Sequence, residues 1–203
     1  LLKMRLGFIM NSYIMDIARA FSTTLDKLIV APLLGFALLG NYQLGVQFLS
    51  LLGIIPGIVY QYLLPHDSEG NPNLKLKKYT TLFSALLAIL GFFLAPLFLP
   101  KIFPKYNEAT EVIQILSFSV IATTINLTYI SKFLGNEKTK LVLIGSGIYL
   151  GLQISLILIL GNTFGVNGIA LAVVIASFSE TVYFVCSDRF ILKNSKNAQT
   201  VNS

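Results

Sequence analysis

The sequence predicts an all-α fold, a polytopic membrane protein built as a six-helix transmembrane bundle. Of its 203 residues, 55% are hydrophobic and 12% are charged, and the mean hydropathy of +0.75 exceeds that of an ordinary water-soluble domain. Apolar runs of about 20 residues, the length that crosses ~30 Å of hydrocarbon, recur about six times. Short loops make up most of the remainder, which excludes a hidden soluble catalytic domain.

The predicted spans lie near residues 6–30, 41–64, 79–100, 111–133, 141–160 and 165–187. Residues 1–190 therefore form one transmembrane unit, and residues 191–203 form a cytoplasmic tail. Pro56 and Pro96 fall inside the second and third spans and are expected to bend them, a feature shared by transporters that rock and by static helices. Gly147 and Gly151 are four residues apart in the fifth span, a spacing that permits close helix packing.

The basic residues indicate the topology. Lys101 and Lys105 lie in the loops on one side of the predicted membrane, whereas the other side carries Lys3, Arg5, Lys75, Lys77, Lys78, Lys132, Lys138, Lys140, Arg189, Lys193 and Lys196. By the positive-inside rule, the chain is a multi-pass protein of the cell membrane with both ends cytoplasmic. The net charge of +6 then reports topology first and attraction to anionic lipid second. Nucleic acid is not expected as a partner, because its binding needs one clustered basic face.

The first predicted span carries a stripe of polar residues. On a helix they recur at steps of three and four, as Ser12, Asp16, Arg19, Thr23 and Asp26. A charge at the bilayer centre costs about 2.5–3.5 kcal/mol, so Asp16 and Arg19 must pair with each other or face something polar. The second span offers a matching stripe of Gln43, Gln47, Ser50, Gly57 and Gln61. Two such stripes predict a hydrated cavity, with a static buried network as the alternative.

Other polar residues have simpler interpretations. Asp26 lies near the external end of its span, where its side chain reaches the interface. Glu180 lies towards the cytoplasmic third of the last span, where it snorkels, pairs with a basic loop residue, or titrates as a coupling carboxylate. Asn126 and Thr128 are expected to make hydrogen bonds between helices. His66 is expected to be solvated in a polar loop over residues 65–78. The absence of a metal-ligand cluster and of a paired carboxylate outside the membrane argues against an enzyme.

Several short motifs resemble those of one transporter family. Residues 25–47, LDKLIVAPLLGFALLGNYQLGVQ, resemble the start of the second six-helix lobe of prokaryotic polysaccharide flippases, in the multidrug/oligosaccharidyl-lipid/polysaccharide exporter superfamily. The residues that carry the resemblance there are Asp26-Lys27, Leu34-Gly35 and Gly40-Asn41-Tyr42. Further motifs follow in order at Leu64-Pro65, at residues 103–106 (FPKY), at residues 134–138 (LGNEK) and at residues 164–170 (FGVNGIA). Pro104 departs from the family, which usually has glycine there.

The resemblance implies the C-terminal lobe of a two-lobe flippase whose N-terminal lobe lies outside this sequence. Such a protein moves a lipid-linked oligosaccharide across the membrane by alternating access, with the lipid bilayer and this substrate as its partners and no cofactor or metal. A drug/cation antiporter of the same superfamily and a non-transporting scaffold for glycan assembly are the alternatives.

The polar stripes suggest roles for individual residues in such a flippase. The expected cavity residues are Asp16, Arg19, Thr23, Gln43, Gln47 and Asn126, and the ion-coupling candidates are Asp16, Asp26 and Glu180. Arg19 would contact the diphosphate or a sugar, because a guanidinium offers several fixed donors to phosphate oxygens. Gln43 and Gln47 would donate hydrogen bonds to sugar hydroxyls.

Overall fold

The computed structural model describes residues 30, 32, 35–106 and 108–201, with side chains up to residue 191 apart from position 37. Its helices are α1 Phe36–Leu52, α2 Ile54–Ser68, α3 Leu74–Ile102, α4 Ala109–Ser117, α5 Ser119–Gly135 and α6 Thr139–Val201. No strand forms within these ranges. The prediction of an all-α fold is confirmed for this part of the chain, and α6 continues past the point where a tail is predicted.

Three stretches are long and apolar enough to cross a membrane: Leu74–Ile102, Ala109–Gly135 and Thr139–Ile191. A fourth is the pair Leu38–Leu52 and Ile54–Ser68, which is bent by 46°. The prediction of a membrane protein is therefore supported at the level of helix length and composition. Apart from Val30, the first predicted span, residues 6–30, lies outside the described residues, and the count of six spans stays a prediction.

The bend between α1 and α2 lies at Gly53 and Pro56. Proline has no N–H, so Pro56 cannot donate to the carbonyl of Leu52 and a helix running through this point must bend. On either side the backbone stays bonded, since Gly53 donates to the Leu49 carbonyl at 3.0 Å and Gly57 to the Gly53 carbonyl at 2.9 Å. The predicted bend in this span is confirmed, whereas α3 remains one continuous helix through Pro96.

The last helix, α6, folds back on itself at Gly165. This residue has φ 58° and ψ −138°, a conformation that glycine adopts without a Cβ clash. The ring of Phe184 fills the space beside the backbone of Gly145, and the Leu160 carbonyl lies directly against Gly168. Both pairs are centred near residue 165, so an N-terminal arm (139–164) and a C-terminal arm (166–201) run antiparallel. The arms occupy the places of the predicted fifth and sixth spans.

Besides a cluster that packs α3 against α4, two apolar clusters hold the helices together. The first joins α1, α4 and both arms of α6 around Tyr42, Leu116, Ile157 and Ile169. The second joins α5 to the arms through Phe133, Val142 and Phe184. Together they place α5 beside the C-terminal arm, which matters for the polar residues that these two elements share.

The α1–α2 pair runs antiparallel to α3, and ion pairs show which helix ends meet. Asp67 of α2 contacts Lys77 of α3, and Lys132 of α5 contacts Asp188 of the C-terminal arm. One end of the bundle therefore collects most of the basic side chains of the described residues, namely Lys75, Lys77, Lys78, Lys132, Lys138, Lys140 and Arg189. We call it the basic end.

The structure corrects the length of the polar loop and the position of His66 within it. The polar loop expected over 65–78 is shorter, because residues 65–68 continue α2 and residues 74–78 begin α3. His66 is half-buried on α2, where its Nδ1 lies 2.9 Å from the Tyr62 carbonyl oxygen and its ring stacks on that of Tyr62. His66 is therefore a partly exposed helical residue, not a loop residue, and the helix holds its ring against the preceding turn.

The close helix packing expected at Gly147 and Gly151 of the fifth span is also not found among the described residues. Added Cβ atoms at Gly147 and Gly151 would meet no atom within 4 Å among the residues that the structure describes. The close approaches on α6 are at Gly145 and Gly168 instead. A four-residue spacing of small residues permits contact, but the partner helix determines which glycines are used.

Candidate functional site

A cluster of polar side chains lies between α5 and the C-terminal arm of α6. Asn126 of α5 donates through Nδ2 to Glu180 Oε2 at 2.9 Å and to the Ser177 carbonyl oxygen at 3.2 Å. Thr181 Oγ1 in turn donates to Asn126 Oδ1 at 2.7 Å. Both the nitrogen and the oxygen of the Asn126 amide thus make hydrogen bonds, and these bonds join two helices in the interior of the bundle.

The cluster is buried, and burial explains why it is so well bonded. Glu180 is 9% exposed and Asn126 is 4% exposed, and an unpaired polar group costs most where water is excluded. The interpretation of Glu180 as a snorkelling side chain is wrong, because its carboxylate points into the interface with α5. The prediction that Asn126 bonds between helices is confirmed, whereas Thr128 donates to the carbonyl of Ile125 on its own helix at 2.8 Å.

The predicted stripe on the second span follows the outer side of α1 and α2. Gln47, Ser50 and Gln61 are exposed, and Gln43 is half-buried. Ser50 satisfies its hydroxyl by donating to the Val46 carbonyl at 2.9 Å. Within the described residues, no hydrogen bond joins Gln43 or Gln47 to Asn126, so the structure does not bring these three predicted cavity residues together.

The remaining predicted site residues lie outside the described residues. They are Asp16, Arg19, Thr23 and Asp26 of the first predicted span. Their roles therefore stay predictions from the sequence, and so does the cavity that the two polar stripes would enclose.

A charged cluster at the basic end is absent from the sequence interpretation. Asp67, in the last turn of α2, is 4% exposed. Lys77 Nζ donates to its two carboxylate oxygens at 2.8 and 2.6 Å, and Ser131 Oγ donates to Oδ2. The signal that could have revealed it is the spacing of the buried residues Pro56, Leu63 and Asp67, which places Asp67 on the inward face of α2.

The approach of α5 to this carboxylate depends on a glycine. A Cβ at Gly135 would lie 2.7 Å from the carbonyl carbon of Asp67 and 2.8 Å from the amide nitrogen of Ser68. Only a residue without a side chain allows the end of α5 to come this near to the end of α2. The same end of α5 carries Lys132, whose Nζ contacts Asp188 at 2.6 and 2.8 Å.

These contacts give the basic end a fixed arrangement of α2, α3, α5 and α6. Among the described residues no group of three or more His, Cys, Asp or Glu side chains could hold a metal ion. The side chains of the two polar clusters are joined by hydrogen bonds and ion pairs. Comparisons with protein-family models, with curated proteins and with solved structures gave no match.

Proposed function

We propose that this chain is a six-helix lobe of a membrane flippase that moves a lipid-linked oligosaccharide by alternating access. The described residues hold three stretches long and apolar enough to span a membrane, or four with the bent α1–α2 pair. Dividing α6 at Gly165 into its two arms would make five passes. A sixth pass over residues 6–30 would complete the lobe. The basic end would face the cytoplasm by the positive-inside rule.

The observation that carries this proposal is the exposed polar stripe on the α1–α2 span. Gln47 and Gln61 both lie on the outside of a segment that is apolar enough for the membrane. An amide facing hydrocarbon is costly, so these side chains require water or a polar partner at membrane depth. A lipid-linked sugar needs such a path for its head group while its lipid tail stays in the bilayer.

The bend in the same span supports a moving part. Helices interrupted by proline and glycine at membrane depth recur in transporters that rock around a central site. Pro56 and Gly53 place such an interruption between the two exposed glutamines. Arg19 and Asp16 would face this stripe from the first span, Arg19 binding the diphosphate and Asp16 orienting it.

Glu180 favours a second candidate, a cation-coupled antiporter. Its carboxylate is buried inside the bundle, where it accepts from the amide of Asn126, and carboxylates within membrane spans often mark proton or cation sites. The same group would serve as the coupling site of a flippase. The two candidates therefore differ in the cargo, and the experiment has to identify the cargo.

The test measures which leaflet of the membrane holds the lipid-linked oligosaccharide. It uses cells depleted of their own copy of the protein. Cells that carry the full-length wild-type chain should display the glycan in the outer leaflet. Arg19→Ala and Gln47→Leu should leave it on the cytoplasmic side at normal protein levels. The matched control is Leu51→Ile, an exposed apolar neighbour on α1, which should transport normally.

Other outcomes would select the alternatives. An unchanged glycan distribution after depletion would refute the flippase. Export of a small cationic dye that is lost in Glu180→Gln would then establish the antiporter. A scaffold would tolerate Arg19→Ala and Asp16→Asn together, with glycan assembly intact.

A further inference from the structure

A groove between α3 and α5 opens at the basic end and lies apart from the polar stripe and from the Asn126 cluster. It has a volume of about 600 Å³. Its inner part is lined by apolar side chains, among them Leu82, Ala85, Ile121 and Ile125, and its mouth by Lys77, Lys78 and Lys132. We call it the α3–α5 groove.

The dimensions of the groove match one leaflet of a bilayer. At 1.5 Å per residue, the wall from Leu74 to Ala85 on α3 rises about 16 Å, and the wall from Lys132 to Ile121 on α5 rises as far. Half of a ~30 Å hydrocarbon core is about 15 Å. The groove therefore reaches from the head-group level at the lysines to the middle of the membrane.

The charges at the mouth have to be counted together with their partners. Asp67 binds Lys77, and Asp188, which also lines the groove, binds Lys132. Three lysines against two carboxylates leave a formal charge of about +1. Lys78 supplies it, since this exposed side chain forms no ion pair with any described residue.

Lys132 is also available to a ligand. Its side chain remains 38% exposed although it contacts Asp188, and an ammonium group has three N–H donors, so it can bind a further oxygen. Lys78 and Lys132 thus offer donors from the two opposite walls of one apolar groove. Basic pockets between transmembrane helices on the cytoplasmic side are suited to anionic lipid head groups.

We propose that the α3–α5 groove binds an anionic phospholipid, with the phosphate at Lys78 and Lys132 and an acyl chain along Leu82, Ala85 and Ile125. The apolar walls and the basic mouth match the two chemically different parts of such a lipid, the acyl chain and the anionic phosphate. The proposal requires only that the chain lies in a membrane, and it does not depend on which substrate is transported.

The test exploits the absence of tryptophan from these 203 residues. Leu82→Trp places an indole in the groove, and Phe83→Trp places one at the same depth on another exposed face of α3. Each full-length variant, with any tryptophan outside these 203 residues replaced by phenylalanine, is reconstituted in phosphatidylcholine vesicles that contain a fixed fraction of brominated lipid. The brominated lipid is either phosphatidylglycerol or phosphatidylcholine, and its bromine quenches only a tryptophan that it touches.

Brominated phosphatidylglycerol should quench Leu82→Trp more than brominated phosphatidylcholine does, and Phe83→Trp should show no such difference. Adding Lys78→Gln should reduce the preference for phosphatidylglycerol about fivefold. Lys75→Gln, an exposed lysine of the same helix that does not line the groove, should preserve it.

Three results would overturn the proposal. Equal quenching of Leu82→Trp by the two lipids would show that the groove does not select charge. An equal preference at Phe83→Trp, or an equal loss with Lys75→Gln, would show that the surface potential of the whole basic end attracts the lipid.

Discussion

The ring of Phe184 covers the backbone of Gly145, and this contact joins the two arms of α6. The three atoms nearest to an added Cβ at Gly145 all belong to that ring. Phe184 is fully buried, and its ring meets the ring of Phe133 edge-on with centroids 5.7 Å apart. One side chain therefore fastens the N-terminal arm, the C-terminal arm and α5 at a single point.

Gly145→Ala should destabilise the hairpin, because the new methyl group occupies the space of a ring that cannot retreat from Phe133. We expect the free energy of unfolding to fall by about 1–3 kcal/mol, the usual cost of overpacking a core. Gly147→Ala is the control, since its methyl group meets no described atom within 4 Å and alanine favours helix. Unfolding in mixed micelles of increasing denaturing detergent measures both. Equal stability of the two variants would contradict the antiparallel arms.

Gly135→Ala should weaken the basic end for a different reason. Its methyl group would meet the backbone of Asp67 and Ser68 at under 3 Å, and a helix backbone cannot rotate away as a side chain can. We expect a loss of about 2–3 kcal/mol in the free energy of unfolding, at the upper end for overpacking. Gly57→Ala on α2, with open space around it, is the matched control. If Gly135→Ala unfolds like the wild type, α5 does not approach α2 as closely as described.

Asp67→Asn should be costly, because it leaves the ammonium of Lys77 with its carboxylate partner removed. The Asp67 side chain is 1% exposed and that of Lys77 13% exposed, and breaking such a buried pair costs about 3–5 kcal/mol. The double variant Asp67→Asn/Lys77→Gln should recover part of the loss, since no uncompensated charge remains. A double-mutant cycle of unfolding free energies measures the coupling. Additive losses would mean that the two side chains do not interact.

Lys132→Gln provides a contrast at the same end of the bundle. The pair of Lys132 with Asp188 has side chains that are 38% and 14% exposed, so water and salt screen it. We expect a loss of at most about 1 kcal/mol in the free energy of unfolding. In high salt, the loss of unfolding free energy caused by Asp67→Asn should stay the same, whereas the loss caused by Lys132→Gln should become much smaller. A loss as large as that of Asp67→Asn would show that the pair is more shielded than its exposure indicates.

The sequence allowed the helices to be located but not their ends. The third predicted span, 79–100, lies within α3, which begins five residues earlier at Leu74. Hydropathy cannot detect these residues, because Lys75, Lys77 and Lys78 are as polar as a loop. The cap could have been recognised, since Asn73 Oδ1 accepts the Leu76 N–H at 3.0 Å and asparagine is among the best N-caps.

The polar contacts were harder to predict, because they join distant parts of the chain. The sequence predicts that Asn126 makes a hydrogen bond to another helix, but it does not identify the partner. The packing of α5 against α6 determines that the partner is Glu180. The sequence places Asp67 in the polar loop predicted over residues 65–78. Its burial arises from the approach of α5 at Gly135, a contact that no local pattern encodes.

The last prediction concerns the polar cluster inside the bundle. Asn126→Leu removes a donor to Glu180 and the acceptor of Thr181 at once, so a buried carboxylate loses one of its hydrogen bonds. We expect the free energy of unfolding to fall by about 1–3 kcal/mol. Thr124→Val is the control on the same helix, since Thr124 is buried and its hydroxyl donates only to the Val120 carbonyl of its own helix. A smaller loss in Asn126→Leu than in Thr124→Val would mean that the bonds between α5 and α6 add nothing to stability, leaving function as the reason for a buried carboxylate.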